Sequence, residues 1–190
     1  YVSLGNIIHT NFNNSELGFQ FGQLAIDVLN KLDAKQIKGR TFEVFYGHIK
    51  GWQSHLKETI EPLLKGYQSS LEVGDLEYAG YNASMYCYHS YFAGVELSTL
   101  EAAIKSYYIT TKETLKNTTV LYWQGIYYES VLNLQGKTGN TCRLLGSICN
   151  EYEAIPIFRE QNDYTMLNNI YLNKMILSYL FEDYSAAIES

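Results

Sequence analysis

Apolar residues recur at spacings of three and four along almost the whole chain, and this periodicity decides the fold class. Such spacing places apolar side chains on one face of an α-helix, whereas the strict alternation typical of a strand is scarce. Only two prolines, Pro62 and Pro156, interrupt the 190 residues. The sequence therefore predicts an all-α protein.

The spacing predicts a succession of helices of about five turns each, joined by short connections. The expected spans are 16–32, 37–52, 55–73, 74–94, 96–115, 119–134, 141–161 and 164–181, and a last helix begins in "EDYSAAIES". Asn14 or Ser15 is the expected N-cap of the first helix, and Asp75 that of the fourth. Pro62 should lie in the first turn of its helix or bend it. The segment "QGKTGN" is expected to be a loop because of its Gly and Asn content.

A weak internal repeat of about 41 residues groups the helices in pairs. A displacement of 41 residues aligns Leu56 with Leu97, Leu63 with Ile104, Tyr67 with Tyr108, Val44 with Met85 and Ile126, and Phe45 with Tyr86 and Tyr127. The expected pairs are 16–52, 55–94, 96–135 and 141–181, within one helical-repeat domain over 1–190. We interpret the pattern as a tetratricopeptide-like α-solenoid, and a helical bundle with accidental register is the alternative.

The two ends of the chain predict a fragment of a longer protein. The first residue is Tyr1 rather than an initiator methionine, and the last letters, "SAAIES", stop within an expected helix. Residues 1–12 are then the end of a truncated helix. A solenoid fragment exposes apolar faces that neighbouring repeats would cover, so end-to-end self-association is expected near 7–12 and 184–188.

Composition and charge argue against several classes of function. The net charge is −6, and Lys and Arg are dispersed rather than gathered in a basic run, so nucleic acid is not an expected partner. No apolar stretch reaches about 18 residues, so no membrane association is expected. The three cysteines have no metal-binding or redox spacing, which is typical of reduced thiols in a cytoplasmic protein.

The candidate catalytic residues do not form a recognisable set. Cys87 and His89 are two residues apart, so they diverge on a helix and cannot act as a nucleophile and its base. Glu151 and Glu153 diverge for the same reason. The segment "GKTGN" lacks the earlier glycine and the preceding strand of a phosphate loop, and no histidine pair has the spacing of HExxH. We therefore expect no catalytic residue, no metal site and no cofactor.

Aromatic residues supply many of the positions that are expected to face inward. The chain has 18 tyrosines and 8 phenylalanines, and the stretch 78–95 contains no Lys, Arg, Asp or Glu. The expected packing or interaction surface consists of Tyr78, Tyr81, Tyr88, Phe92, Tyr108 and Trp123. Each buried aromatic ring covers roughly 150–250 Å², which suits packing between helices. The alternative is an aromatic-lined pocket or groove for a peptide or a small molecule, as in a sensor domain.

Several long segments resemble one protein family. They are "FGQLAIDVLNKLD", "HIKGWQSHLKETIEPLLKGYQSSLEVGDLEYAGYNASMYCYHSYFAGVELSTLE", "YWQGIYYESVLNLQG", "NEYEAIPIF" and "YLNKMILSYLFEDYSAAIE". Together they are similar to the tetratricopeptide-like helical-repeat region of large, mainly cyanobacterial, signalling kinases. Those proteins combine a Ser/Thr-kinase-like domain, an AAA/STAND ATPase, helical repeats, a GAF sensor and often a histidine kinase.

The resemblance implies a regulatory role without catalysis. It covers nearly the whole chain, but none of its motifs is catalytic, and the kinase loops and phosphate loop of such proteins have no counterpart here. It implies a cytoplasmic scaffolding segment whose partners are the flanking domains of a parent kinase, or another protein or peptide.

Overall fold

The computed structural model describes all 190 residues and is built from ten α-helices without a β-strand. The helices are α1 Val2–Asn11, α2 Ser15–Leu32, α3 Lys38–Val44, α4 Lys57–Glu72, α5 Leu76–Phe92, α6 Leu97–Thr110, α7 Thr118–Leu134, α8 Glu151–Glu160, α9 Tyr164–Leu180 and α10 Tyr184–Glu189. The all-α prediction is confirmed. The only β-bridge is an isolated pair, Leu145 and Asn150.

Short polar side chains begin most of the helices. The expected caps are confirmed, since Asn14 accepts a hydrogen bond from the backbone N–H of Leu17 and Asp75 accepts one from that of Tyr78. The same type of cap is formed by Asn117, Asn150, Asp163 and Asp183. Each cap satisfies an N–H group that has no partner within its helix.

One turn geometry recurs before three of these caps. A residue with positive φ precedes the capping aspartate, namely Gly74 at 75°, Asn162 at 55° and Glu182 at 64°. In each turn the aspartate N–H donates to the carbonyl five residues earlier, at 2.8 to 2.9 Å. This bond ends the preceding helix while the aspartate side chain starts the next one, so a connection of three residues is sufficient.

The chain forms two compact units, unit 1 (Tyr1–Gly94) and unit 2 (Val95–Ser190). In unit 1, α1 packs on α2, and α4 packs on both α3 and α5. The approach of α1 to α2 is close because Gly5 and Gly18 face each other, and a Cβ on either would lie 2.7 Å from the other's carbonyl oxygen. The core of the unit contains Ile26, Leu29, Phe42, Phe45 and Ile49.

In unit 2, α7 packs on α6 and α9, and α9 also packs on α8 and α10. Its core contains Ile126, Leu144, Cys149, Ala154, Phe158, Met166, Leu167, Ile170 and Leu177. Each unit has its own compact set of contacts. The single repeat domain expected over 1–190 stays a prediction.

Two expected helices depart from regular α geometry. The span 37–52 is helical, but it continues from α3 through a π-helical turn, Phe45–Ile49, into a short 3₁₀ turn. The span 96–115 likewise ends in a π-helical turn, Thr111–Leu115. Pro62 lies in the second turn of α4, one turn later than the first-turn position considered from the sequence.

The helix expected over 141–161 is wrong in its first ten residues. Residues 141–150 form an ordered loop, and α8 begins only at Glu151. Two backbone N–H groups of the loop bond to buried carboxylates rather than to a helical ladder: Leu144 N–H donates to Glu151 at 3.0 Å, and Ile148 N–H donates to Glu129 at 3.2 Å. Long-range contacts therefore override the local helical spacing.

Candidate interaction surface

The expected aromatic surface begins with Tyr78 and Tyr81 on α5. Their rings meet edge to face at 5.6 Å, and both side chains are half-buried. The Arg40 guanidinium lies 4.9 Å from the centre of the Tyr78 ring and bonds to the Asp75 carboxylate at 2.6 Å. This cluster joins α3 to the first turn of α5, so its observed contacts are packing contacts inside unit 1.

Tyr88 and Phe92 form a second pair one helical turn apart. Their ring centres are 5.0 Å apart in an edge-to-face arrangement, and Tyr91 meets Phe92 at the same distance. Phe92 is exposed, whereas Tyr88 is half-buried. Among the expected residues of unit 1, Phe92 is therefore the one that offers most surface to a partner.

Tyr108 and Trp123 belong to unit 2. Trp123 packs against the apolar core of that unit, and Tyr108 on α6 is half-buried. The six aromatic residues thus form two pairs on α5 and two separate positions in unit 2. Their role as an interaction surface stays a prediction.

A buried hydrogen-bond network joins three elements of unit 1 around His89. The Nδ1 atom of His89 lies 2.5 Å from the Thr59 hydroxyl, which is also 2.7 Å from the Leu56 carbonyl oxygen. The imidazole also bonds to the Gly47 backbone, in the π-helical turn. The pKa of His89 is lowered to about 4, chiefly by burial and in part by the nearby His48, and the hydrogen bond to Gly47 opposes both effects. His89 is therefore neutral at physiological pH.

A second histidine, His48, carries the opposite shift. Its Nε2 atom lies 3.0 Å from the buried Glu43 carboxylate. Burial disfavours the imidazolium, but the hydrogen bond to Glu43 and the charge of that carboxylate outweigh it, so the pKa of His48 is raised. The two histidines of this unit thus carry pKa shifts of opposite sign, each set by its own surroundings.

The residues that could serve nucleophilic chemistry are held in structural roles. Cys87 is fully buried, and burial raises the pKa of its thiol far above the usual range, which keeps the sulfur protonated. Glu151 bonds to the Lys174 ammonium at 2.9 Å and to Arg143 at 3.2 Å in unit 2. Glu153 is exposed on the first turn of α8.

The loop 141–150 is a feature that sequence reasoning missed. Glu129 of α7 is buried without a cationic partner, and its carboxylate accepts hydrogen bonds from the N–H groups of Ile148 and Cys149. Burial raises the pKa of Glu129, and these hydrogen bonds oppose the shift. A Cβ on Gly146 would collide with this carboxylate. The available signal was Gly146 itself, which interrupts the expected helix.

A cavity of about 180 Å³ in unit 1 is lined by Leu29, Asn30, Asp33, Ala34, Lys35, Lys38, Ser69 and Glu72, and none of these is aromatic. No group of three or more His, Cys, Asp or Glu residues is arranged to hold a metal ion. None of the helices combines the length and the apolar character that a membrane span requires.

Several of the exposed large apolar side chains of unit 2 lie near the turn between α9 and α10. The apolar strip, as we name it, consists of Met175, Tyr179, Tyr184 and Ile188. The rings of Tyr179 and Tyr184 meet at 5.9 Å across the turn. These four side chains form a surface that the six expected aromatic residues do not include.

Comparison with protein-family models, with curated proteins and with solved structures finds no match to this chain.

Proposed function

We propose that the chain is a non-catalytic helical-repeat segment that mediates contacts between protein domains in a signalling kinase. The observation that carries the proposal is a recurring burial pattern. When 41 is added to their residue numbers, the bounds of α2 become 56–73 and those of α4 become 98–113. These ranges are close to the bounds of α4 and of α6 with its π-helical turn. These similar helix bounds support the proposed 41-residue repeat.

Equivalent positions of the repeat are buried in three successive helix pairs. In the first helix of each pair they are Gly18, Thr59 and Leu100; Gly22, Leu63 and Ile104; and Leu29, Ser70 and Thr111. In the second helix they are Phe42, Ala83 and Gln124; Glu43, Ser84 and Gly125; and Ile49, Ser90 and Val131. Residues of quite different chemistry are thus buried at equivalent positions. This is expected of a repeat protein, in which each helix pair packs on its neighbours in the same way.

A fourth pair, α8 and α9, continues the pattern with a longer spacing. Val120, Gln124, Tyr127 and Val131 of α7 correspond to Met166, Ile170, Asn173 and Leu177 of α9, 46 residues further on, and all eight are buried. The extra residues lie in the loop between α7 and α8. Insertions in repeat proteins are accommodated in such loops, so the longer spacing is compatible with the proposed solenoid.

Stacked helix pairs suit a scaffolding role. Each pair contacts mainly its neighbours, so an array can hold other domains at set distances or present an extended surface. The assignment to a cytoplasmic segment of a signalling kinase is supported by the family resemblance of segments such as "HIKGWQSHLKETIEPLLKGYQSS" and "YLNKMILSYLFEDYSAAIE".

The repeat is tested by deleting one unit of it in register. Deletion of 54–94 removes α4 and α5 and places Val95 where Ser54 stood, so the burial pattern continues across the junction. We expect the shortened chain to remain helical and to unfold cooperatively in urea, followed by circular dichroism. The matched control deletes 54–84, which leaves part of α5 out of register and is expected to abolish cooperative unfolding. Equal behaviour of the two deletions would contradict the repeat.

The interaction role is tested by site-specific photo-crosslinking in cells that contain a kinase of the resembled type. A photoreactive phenylalanine analogue replaces Phe92, which is exposed beside Tyr88, or Trp52 as an exposed control outside the expected surface. We expect position 92 to capture a kinase, ATPase or sensor domain, identified by mass spectrometry, and position 52 to capture it much less. Equal capture at both positions, or none, would count against the proposal.

The alternative function, a small-molecule sensor with an aromatic-lined pocket, stays a prediction. The described cavity of unit 1 has no aromatic residue in its wall, so this cavity does not favour the sensor alternative over the interaction role.

A further inference from the structure

We propose that the apolar strip of Met175, Tyr179, Tyr184 and Ile188 is the docking site of an amphipathic helix that carries basic residues. The proposal rests on the interaction role proposed above and specifies the chemistry of a partner. It concerns a surface on α9 and α10, separate from the aromatic residues of α5.

The strip is continuous across the turn between the two helices. Met175 and Tyr179 are four residues apart on α9, and Tyr184 and Ile188 are four apart on α10, so each pair shares a helix face. The contact between the Tyr179 and Tyr184 rings joins the two faces. The four residues are 41%, 65%, 54% and 87% exposed. A row of this kind matches the spacing at which a docked helix presents its apolar side chains.

The packing of the neighbouring helices favours a helix as the occupant. Within unit 2, α7 is covered by α9, and within unit 1, α3 is covered by α4 and α5. A helix laid against α9 and α10 would repeat this arrangement.

The charges around the strip specify a basic partner. Residues 175–190 contain Glu182, Asp183 and Glu189 and no Lys or Arg. The preceding Lys174 is largely buried, and its ammonium bonds to Glu151, so it does not offset these charges. Complementary charge at the rim of an apolar contact raises association rate and specificity. Lys or Arg residues beside the apolar face of the incoming helix would supply it.

The same charges disfavour two other occupants. A second copy would offer its exposed residues of α1, Leu4 and Ile7, but residues 1–30 contain no Lys or Arg to complement the acidic rim. An anionic lipid surface would be repelled by that rim.

The test uses the full chain and three labelled peptides of about 18 residues, or five helical turns. One has a leucine face flanked by lysines, one has the same face flanked by glutamates, and one is a scrambled form of the first. Fluorescence anisotropy should show binding of the Leu/Lys helix, with the other two at least about tenfold weaker. Ile188→Ser should weaken binding by about tenfold, and E182K together with E189K should reverse the preference between the two helices.

The matched control is Trp52→Ser, which removes an exposed apolar side chain of unit 1 and should leave binding unchanged. Ile188 is mostly exposed, so its substitution is not expected to alter the circular dichroism spectrum. Equal binding of the three peptides, or no effect of Ile188→Ser, would overturn the proposal. So would sedimentation showing a dimer that Ile188→Ser dissociates, because a second copy would then be the occupant. Capture at Phe92 without peptide binding here would retain the interaction role and reject this site alone.

Discussion

Glu151→Ala is expected to lower the free energy of unfolding of unit 2 by about 3 to 5 kcal/mol. The side chain of Glu151 is buried and takes part in three polar contacts. It accepts bonds from Lys174 at 2.9 Å, from Arg143 at 3.2 Å and from the Leu144 N–H at 3.0 Å. Removal of the carboxylate leaves the largely buried Lys174 ammonium without its partner, and this uncompensated charge dominates the loss.

Glu151→Ala should also destabilise the loop 141–150. The Leu144 N–H would lose its acceptor, and the buried Leu144 side chain belongs to the core of unit 2. An unpaired buried N–H costs about 1 to 3 kcal/mol. We therefore expect hydrogen exchange in 141–150 to accelerate in the variant before the helices of the unit are affected.

The measurement is urea unfolding followed by the fluorescence of Trp123, which packs against the core of unit 2. Trp52→Phe removes the other tryptophan, an exposed residue of unit 1, so the signal reports one unit. Glu153→Ala is the matched control, because this exposed carboxylate bonds only to the nearby Asn150 side chain, at 3.2 Å. It should cost less than about 1 kcal/mol.

A double variant separates the buried charge from the shape of the site. Glu151→Leu with Lys174→Met replaces both charged partners by apolar side chains, and such replacements are often nearly neutral. The double variant should therefore be clearly more stable than Glu151→Ala. If Glu151→Ala unfolds at the same urea concentration as Glu153→Ala, the ion pair has no structural role and the interpretation is wrong.

The sequence could predict the helices because their signals are local. Apolar spacing and the caps Asn14 and Asp75 act within a few residues, and the structure confirms them. The helix expected over 141–150 failed for the opposite reason. Glu129 and Glu151 bind the backbone of this loop from outside it, and the identity of a glutamate does not show whether it faces solvent or a buried N–H group.

The proposed repeat has a weak sequence signal because the positions that it equates share burial rather than chemistry. Gly18, Thr59 and Leu100 are all buried at one position of the proposed repeat, although they differ in size and polarity. The glycine is explained by the close approach of α1, and the threonine by its hydrogen bond to His89. Such local requirements remove the similarity that a sequence comparison detects while leaving the packing pattern intact.

The candidate surface was only partly accessible to sequence reasoning. Aromatic content drew attention to Tyr78 and Tyr88, but their observed contacts lie largely within unit 1. The apolar strip includes Met175 and Ile188, which ordinary helical periodicity would assign to a core. Their exposure depends on which helices cover α9 and α10, and this is not encoded in the spacing of one helix.

Unit 1 is expected to lose about 3 kcal/mol of stability between pH 6.5 and pH 4 because of His89. The imidazole is buried, and burial lowers its pKa from the ordinary 6.5 to about 4. In this window the unfolded chain takes up a proton at His89 that the folded chain does not. The stabilising contribution is therefore complete above pH 6.5 and is lost as the pH falls through the folded pKa.

His48 should not produce the same loss. Burial opposes its protonation, but the hydrogen bond and the charge of Glu43 raise its pKa above 6.5. Its contribution to stability is present below pH 6.5 and is lost as the pH rises through the folded pKa. The two histidines thus contribute in opposite directions, and of the two only His89 makes the folded state less stable as the pH falls below 6.5.

The measurement is hydrogen exchange of peptides from α4 and α5, corrected for the pH dependence of the intrinsic rates. His89→Gln retains a donor that can reach the Gly47 carbonyl but has no imidazole to protonate. This variant starts less stable, because the Thr59 hydroxyl loses its contact with the imidazole at 2.5 Å and keeps only the Leu56 carbonyl oxygen, but its stability should change little between pH 6.5 and pH 4 relative to the parent. His55→Gln is the matched control, since His55 is exposed in the same unit, and it should keep the full pH dependence. An equal pH dependence in His89→Gln and the parent would show that the buried imidazole is not the group that titrates.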